Sequence, residues 1–213
     1  MEIKVVKRIM EANEQHAEVV RRRLRESGVV ALNLISAPGS GKTSLIEAAI
    51  REMKGRVRIG VIEGDPDTTR DAERIARLDV PVVQINTEGG CHLEATMVLR
   101  ALEEIEVDNL QLLFIENVGN LVCPVVFDLG ETYRVAVVSA AEGHDKPAKY
   151  PALFRTAQVT VLNKIDLMPY LDFDEEQFTS DVHRLNPQMP ILRVSCRTGE
   201  GVSEWTEWLL QRL

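Results

Sequence analysis

One octapeptide constrains the fold of this chain more than any other segment. Ser36-Ala-Pro-Gly-Ser-Gly-Lys-Thr43 stands between an apolar, β-rich run at 30–35 and a helical pattern over about 42–53. It matches G-x-x-x-x-G-K-[ST] except at the first position, where Ser36 replaces glycine. A strand before and a helix after separate a phosphate loop from an ordinary glycine-rich turn. Gly39 and Gly41 allow backbone N–H groups to turn inward around a phosphate, and the helix N-terminus adds positive potential. Ala37, Pro38, Ser40 and Ser44 belong to the same cradle. Lys42 can reach the β- and γ-phosphates, and the Thr43 hydroxyl can ligate Mg²⁺. Ser36 needs only backbone angles that suit a residue with a Cβ, which many strand ends provide.

The rest of the chain repeats the same alternation. Further apolar runs fall at 57–62, 81–85, 111–115, 134–139, 158–162 and 191–194. Helical patterns fall at about 68–78, 93–104, 148–155, 174–185 and 202–212. Near-continuous apolar strands between amphipathic helices indicate a parallel sheet covered on both faces. The expectation is an α/β P-loop NTPase of about seven mostly parallel strands, spanning residues 29–213. Residues 1–28 precede it as an amphipathic helix with Val6, Ile9, Met10, Ala17, Val20 and Leu24 on one stripe, stopped by Gly28. Its Arg21, Arg22 and Arg23 read as a solvated face, with a partner-docking helix as the alternative. Trp205, Trp208 and Leu209 read as core on the last helix. A net charge of −8 argues against nucleic acid held on a broadly basic surface. No run approaches the roughly 18 apolar residues of a membrane span. The first residues lack an apolar signal core, and three cysteines make no disulfide framework. A reducing, cytoplasmic location is expected.

The choice of base rests on Asn163-Lys-Ile-Asp166, at the end of the apolar run VTVLN. N-K-x-D at a strand end is the guanine-reading motif of GTPases. The Asp166 carboxylate would accept from guanine N1–H and N2–H₂ together, a donor pair adenine lacks. Asn163 would bond guanine N7 or brace the phosphate loop, and the Lys164 stem would lie over the base. Ser195-Cys196-Arg197 follows the run ILRV where GTPases carry S-A-K, whose backbone N–H meets guanine O6.

Two acidic strand ends are candidates for the Mg²⁺ and switch chemistry. Glu116-Asn-Val-Gly119 has the form E-x-x-G, where GTPases usually write D-x-x-G. Glu116 would hold Mg²⁺, and the Gly119 N–H would face the γ-phosphate. At the other acidic strand end, Glu63-Gly-Asp65-Pro-Asp67, both Asp65 and Asp67 are Mg²⁺ or switch candidates, with Asp67 or Thr68 as a simple helix N-cap the alternative. Asn120 occupies the place of the water-orienting glutamine of small signalling GTPases and is one methylene shorter. With no arginine evidently placed as a finger, slow intrinsic hydrolysis is expected.

Cys91 and His92 follow Gly89-Gly90, and Cys123 comes 32 residues after Cys91. That is no finger spacing, and a buried inert thiol is the ordinary alternative. Yet Cys91 and His92 sit at a strand-to-helix turn, the ligand edge of an open α/β sheet. Cys123 lies seven residues beyond Glu116. Two sulfurs and an imidazole suit Zn²⁺, Ni²⁺ or Cu, and a second copy across a two-fold axis would supply further ligands.

SAPGSGKTSL, EGDPDTTRDAERI, TEGGCHLEA, IENVGNLVCP, EGHDKPAKYP and NKIDL, in that order, resemble the nickel-incorporation GTPases of [NiFe]-hydrogenase maturation, the HypB family. The resemblance spans the chain. It implies a GTPase that cycles between GTP and GDP, a GTP-dependent homodimer, and a Ni²⁺ or Zn²⁺ site of Cys91, His92 and Cys123. It also implies that Lys146 reaches the partner subunit's nucleotide. Its partners would be other hydrogenase maturation proteins and the hydrogenase large-subunit precursor. Two alternatives remain open: a nickel or cobalamin chaperone GTPase for another enzyme, or a metal-dependent dimerisation module with little turnover. Some family members carry an N-terminal cysteine motif or histidine-rich stretch; residues 1–28 hold only His16 and no cysteine, so a second nickel site is not expected.

Overall fold

The computed structural model describes residues 2–213, with side chains from Met10 onward, so Val6 and Ile9 of the N-terminal stripe lie outside the described side chains. The seven strands are β1 (Val30–Ser36), β2 (Ile59–Asp65), β3 (Val82–Asn86), β4 (Leu112–Glu116), β5 (Tyr133–Ser139), β6 (Val159–Asn163) and β7 (Ile191–Val194). They form one sheet in the order β3-β2-β4-β1-β5-β6-β7, and every pairing is parallel. The chain runs outward from β1 to β3, returns to β4, then crosses β1 to reach β5. Ligands in such sheets bind where the crossing opens a crevice beyond the strand C-termini. Here β1 delivers the phosphate loop and β4 delivers Glu116 to that edge.

Alternation along β1 explains the two covered faces. Leu32 and Leu34 join Leu45, Ile46 and Ile50 of α2 (Lys42–Met53), Ile75 of α3 (Arg70–Ala76), and Trp205, Trp208 and Leu209 of α9 (Val202–Leu210). Ala31 and Ile35 face the other helices: α1 (Glu2–Glu26), α4 (Ala95–Ala101), α5 (Cys123–Val126), α7 (Pro151–Thr156) and α8 (Glu175–Leu185). The paired indoles of Trp205 and Trp208 are buried, as their spacing predicts. Among the described residues, no helix is long and apolar enough to cross a membrane.

Several boundaries move for local reasons. The pattern at 148–155 divides into α6 (Lys146–Lys149) and α7, because Tyr150 precedes a proline and leaves helical angles. α3 and α4 are shorter than their patterns, while β2 runs on through Glu63 to Asp65. Gly28 ends α1 in a left-handed conformation, and the Val29 N–H returns to the Leu24 carbonyl. α1 packs through Ala17, Val20 and Leu24. Its arginines are not all solvated: Arg21 pairs with Glu18 and Asp128, and Arg23 donates to the Leu102 carbonyl, while Arg22 is exposed.

Candidate functional site

The phosphate loop closes on itself through short side chains. Ser36 explains its own departure from glycine: its hydroxyl donates to the Ala37 carbonyl and accepts from Lys42 Nζ at 3.1 Å. Ser40 is buried and donates to Ala37 O at 2.8 Å. Gly41 is left-handed at φ 98°, and a Cβ there would run into the Asn163 amide. Gly119 packs on the loop so closely that a Cβ would lie 2.8 Å from Pro38 Cα. Thr43 Oγ1 donates to Glu116 Oε1 at 2.9 Å, and Lys42 Nζ lies 3.9 Å from the same oxygen. Ser44 accepts from Arg74, whose guanidinium is held by Glu47 and Asp71.

Glu63 was not visible as a site residue in the sequence. The register of β2 and β4 sets it directly beside Glu116, and both are buried. Each leaves an Oε2 without a hydrogen-bond partner. Burial, reinforced by Glu116, pushes Glu63 up to about 11. Burial likewise raises Glu116, against the pull of Lys42. Orphaned carboxylate oxygens beside a threonine hydroxyl fit a hard divalent cation such as Mg²⁺. Asp65 accepts from the Asp67 and Thr68 N–H groups and comes within 4.8 Å of Glu63 and Asp71. Neither Asp67 nor Thr68 caps a helix; α3 starts at Arg70 with Thr69 before it.

The buried carboxyls give a pH prediction. A carboxyl whose folded pKa lies above its unfolded value is stabilising when protonated. That contribution is complete below about 4.5 and declines as pH rises toward about 11. In chelator, without nucleotide, Glu63→Gln should therefore melt higher than wild type at pH 8, with the gap shrinking toward pH 5. A pH-independent gap would remove the buried-charge explanation.

A cavity of about 350 Å³ opens beside the loop, lined by Gly41, Ser44, Asn163, Lys164, Asp166 and Cys196, with Arg197 also at its wall. Asn163 Nδ2 donates to the Ser40 carbonyl at 2.9 Å, so the amide braces the phosphate loop. Lys164, on a left-handed backbone, lines the cavity and donates from Nζ to Gly39 O at 2.6 Å. Ser195 Oγ donates to Asp166 Oδ1 at 2.6 Å, and the Cys196 N–H reaches Asn163 Oδ1 at 3.5 Å. Burial pushes the Cys196 thiol up to about 11, so it lines the cavity as a neutral group. Lys146 is not a lining residue; its ammonium lies 5.7 Å from the Tyr150 ring centre.

The fold brings Cys91, His92 and Cys123 together, with one ligand atom of each within 4.8 Å of the others. Cys91 Sγ is 3.6 Å from His92 Nδ1. The imidazole stacks on Phe127 at 3.9 Å between ring centres, and its buried Nε2 has no hydrogen-bond partner, with Glu94 Oε1 3.9 Å away. Burial lowers the His92 pKa against the pull of Glu94, favouring the neutral ring that metals bind. The adjacent Cys91 raises the Cys123 thiol. Asn120 Oδ1 accepts from the Val122 and Cys123 N–H groups at 2.7 and 3.2 Å, so its carbonyl end is held by the turn at Cys123. Asn117, also missed in the sequence, accepts from the Leu93 N–H at 3.1 Å and donates to Asn33. The segment after Glu116 is thus bonded to both halves of the thiol–imidazole cluster.

The family model for the CobW/HypB/UreG nucleotide-binding domain matches residues 30–193. The chain is 50% identical over 208 residues to the hydrogenase maturation factor HypB of Azotobacter chroococcum, covering 97% of this chain and 68% of that protein. It resembles the crystal structure of HypB from Archaeoglobus fulgidus with a TM-score of 0.88 and 42% identity, over 94% of this chain and 98% of the other. HypB from Helicobacter pylori, solved in complex with nickel, gives a TM-score of 0.90 and 34% identity over 94% of each chain.

Proposed function

The chain belongs to the HypB hydrogenase maturation factors, and from that premise we propose that it is a GTP-hydrolysing metallochaperone whose cargo is nickel for a [NiFe]-hydrogenase precursor. The observation that carries the reading is the gathering of Cys91, His92 and Cys123 within 4.8 Å. The segment that supplies Cys123 starts at Glu116, which already bonds Thr43. Zn²⁺ suits the same sulfur and nitrogen donors.

Lys42 neutralises the β- and γ-phosphate oxygens, and the backbone N–H groups of residues 39–44 cradle them. Gly119, seated on Pro38, presents its N–H toward the γ-phosphate. Thr43, Glu116 and Asp65 hold Mg²⁺, with Glu63 behind them; when bound, the ion offsets the charge of the phosphates. Turnover is slow. Arg74 is engaged by two carboxylates, so it is not free to act as a finger, and the Asn120 carbonyl oxygen is committed to the turn at Cys123. GTP brings two copies together in the cytoplasm, where the second copy completes the three-ligand cargo site and Lys146 meets its partner's nucleotide. Residues 1–28 dock on the GTPase domain, 29–213. The test is GTP turnover and Ni²⁺ titration in parallel with oligomeric mass, then capture of the hydrogenase precursor. Nickel binding with no turnover at any nickel level would leave a dimerisation module instead.

Guanine selection gives a sharper prediction. Asp166→Asn should weaken GTP binding and improve binding of xanthosine triphosphate. A carboxamide accepts from one guanine donor and opposes the other. Losing a charge-assisted partner costs roughly 2–4 kcal/mol, or about 30- to 1000-fold. Competitive titration of the two nucleotides reads it directly; unchanged GTP affinity would reject Asp166 as the base reader.

A further inference from the structure

The N-terminal helix carries a polar residue where its buried stripe calls for an apolar one. Asn13, Ala17, Val20 and Leu24 lie along one face of α1, and all four are buried. A buried amide is costly unless both of its ends are bonded. Here both are, by segments far away in the chain. Asn13 Nδ2 donates to the Asp128 carbonyl at 2.8 Å, and Asn13 Oδ1 accepts from the Ala95 N–H at 2.9 Å. The opposite amide orientation would set donor against donor and acceptor against acceptor, so the two partners fix it.

Each partner adjoins His92. Ala95 is the first residue of α4 and follows His92 by three; its N–H is one a helix start leaves unsatisfied, and Glu94 before it offers no side-chain cap. Asn13 supplies that cap from α1. Asp128 follows Phe127, whose ring stacks on the imidazole. One amide therefore holds the backbone that carries His92 and the backbone that carries the ring behind it. The contact has no slack: Arg21 of α1 bonds Asp128 Oδ2 at 2.7 Å, and a Cβ on Gly130 would run into the Ala17 carbonyl. From the opposite side, Asn117 holds the Leu93 N–H.

We propose that Asn13 is a positioning residue for the metal cluster: it touches no ligand, but it sets the imidazole of His92 against the two thiols. The proposal rests on the reading of Cys91, His92 and Cys123 as the nickel site. Groups that orient metal ligands are typically worth 10- to 100-fold in affinity.

The test uses the full chain, without nucleotide, titrated with Ni²⁺ and Co²⁺ against a chromophoric chelator. Asn13→Leu should weaken both ions about 10- to 100-fold, and alter the Co²⁺ ligand-field bands, with GTP affinity unchanged. Asn13→Asp keeps the acceptor for Ala95 but sets a second acceptor against the Asp128 carbonyl; it should also weaken both ions, and it carries the test if the leucine variant does not fold. Val20→Ala loosens the same helix while leaving both hydrogen bonds of Asn13 in place, and should leave metal affinity alone. Wild-type affinity in the Asn13 variants, or an equal loss in Val20→Ala, would overturn the proposal. Cys123→Ala is measured alongside: if it binds metal like wild type, the site reading itself fails, an outcome separate from either of those.

Discussion

Lys42→Ala should reduce GTP hydrolysis by at least roughly 10²–10³-fold, the scale seen when one preorganised group is taken from a developing charge. In this chain the loss is compounded. The ammonium lies 3.9 Å from Glu116 Oε1, with Glu63 buried behind it. Without it, incoming phosphates meet two carboxyls and no compensating side chain. Two other cations near the loop are committed: Lys164 to the Gly39 carbonyl, Arg74 to Glu47 and Asp71. Nucleotide affinity should fall with turnover. Nickel affinity in the nucleotide-free protein should persist, because no bond of Lys42 reaches Cys91, His92 or Cys123. Single-turnover hydrolysis, nucleotide titration and nickel titration on one preparation make the check. Retained turnover would remove Lys42 from the chemistry, and loss of nickel binding as well would mean a collapsed fold.

What could be read in the sequence and what could not divide along physical lines. The phosphate loop was legible because its function is local: glycines, lysine and threonine act at fixed spacing within one turn. NKID is likewise a local motif, and Asn163, Lys164 and Asp166 line one cavity. The sheet was legible because strands buried on both faces are written as near-continuous apolar runs. Glu63 was not, since its importance comes from lying beside Glu116, and that neighbour is set by strand order, with β4 inserted between β2 and β1. Asp67 and Thr68 were plausible caps by residue type, but Asp65 takes their backbone N–H groups and the helix starts later. Position alone sets Asn120 in the place of a glutamine; that its carbonyl end is held by the turn at Cys123 shows only in the fold. Asn13 and Asn117 look like ordinary polar residues until the fold shows which distant N–H groups they hold.

Cys123→Ala should cost the nickel site at least about 10²-fold in affinity and also erase its response to nucleotide. Tetrahedral zinc sites bind with roughly 10–16 kcal/mol shared among four ligands, so one ligand is worth some 3 kcal/mol. The second effect follows from connectivity. Glu116 bonds Thr43, Gly119 packs on Pro38, and Asn120 fixes the N–H of Cys123 itself. Movement at the phosphate loop therefore reaches the sulfur through seven residues. Asn117 carries the same movement to Leu93, next to His92. If the two nucleotide states hold this segment differently, they hold the thiol–imidazole geometry differently. Reciprocity then requires nickel to change GTP affinity or dimerisation by the same factor, and a coupling of about 1–3 kcal/mol is typical. The measurement is Ni²⁺ and Zn²⁺ affinity with GDP and with a non-hydrolysable GTP analogue, for wild type and Cys123→Ala. The variant should bind GTP normally as a monomer, because no phosphate contact passes through its side chain. Equal metal affinity in both nucleotide states of the wild type would sink the switch while leaving the site intact.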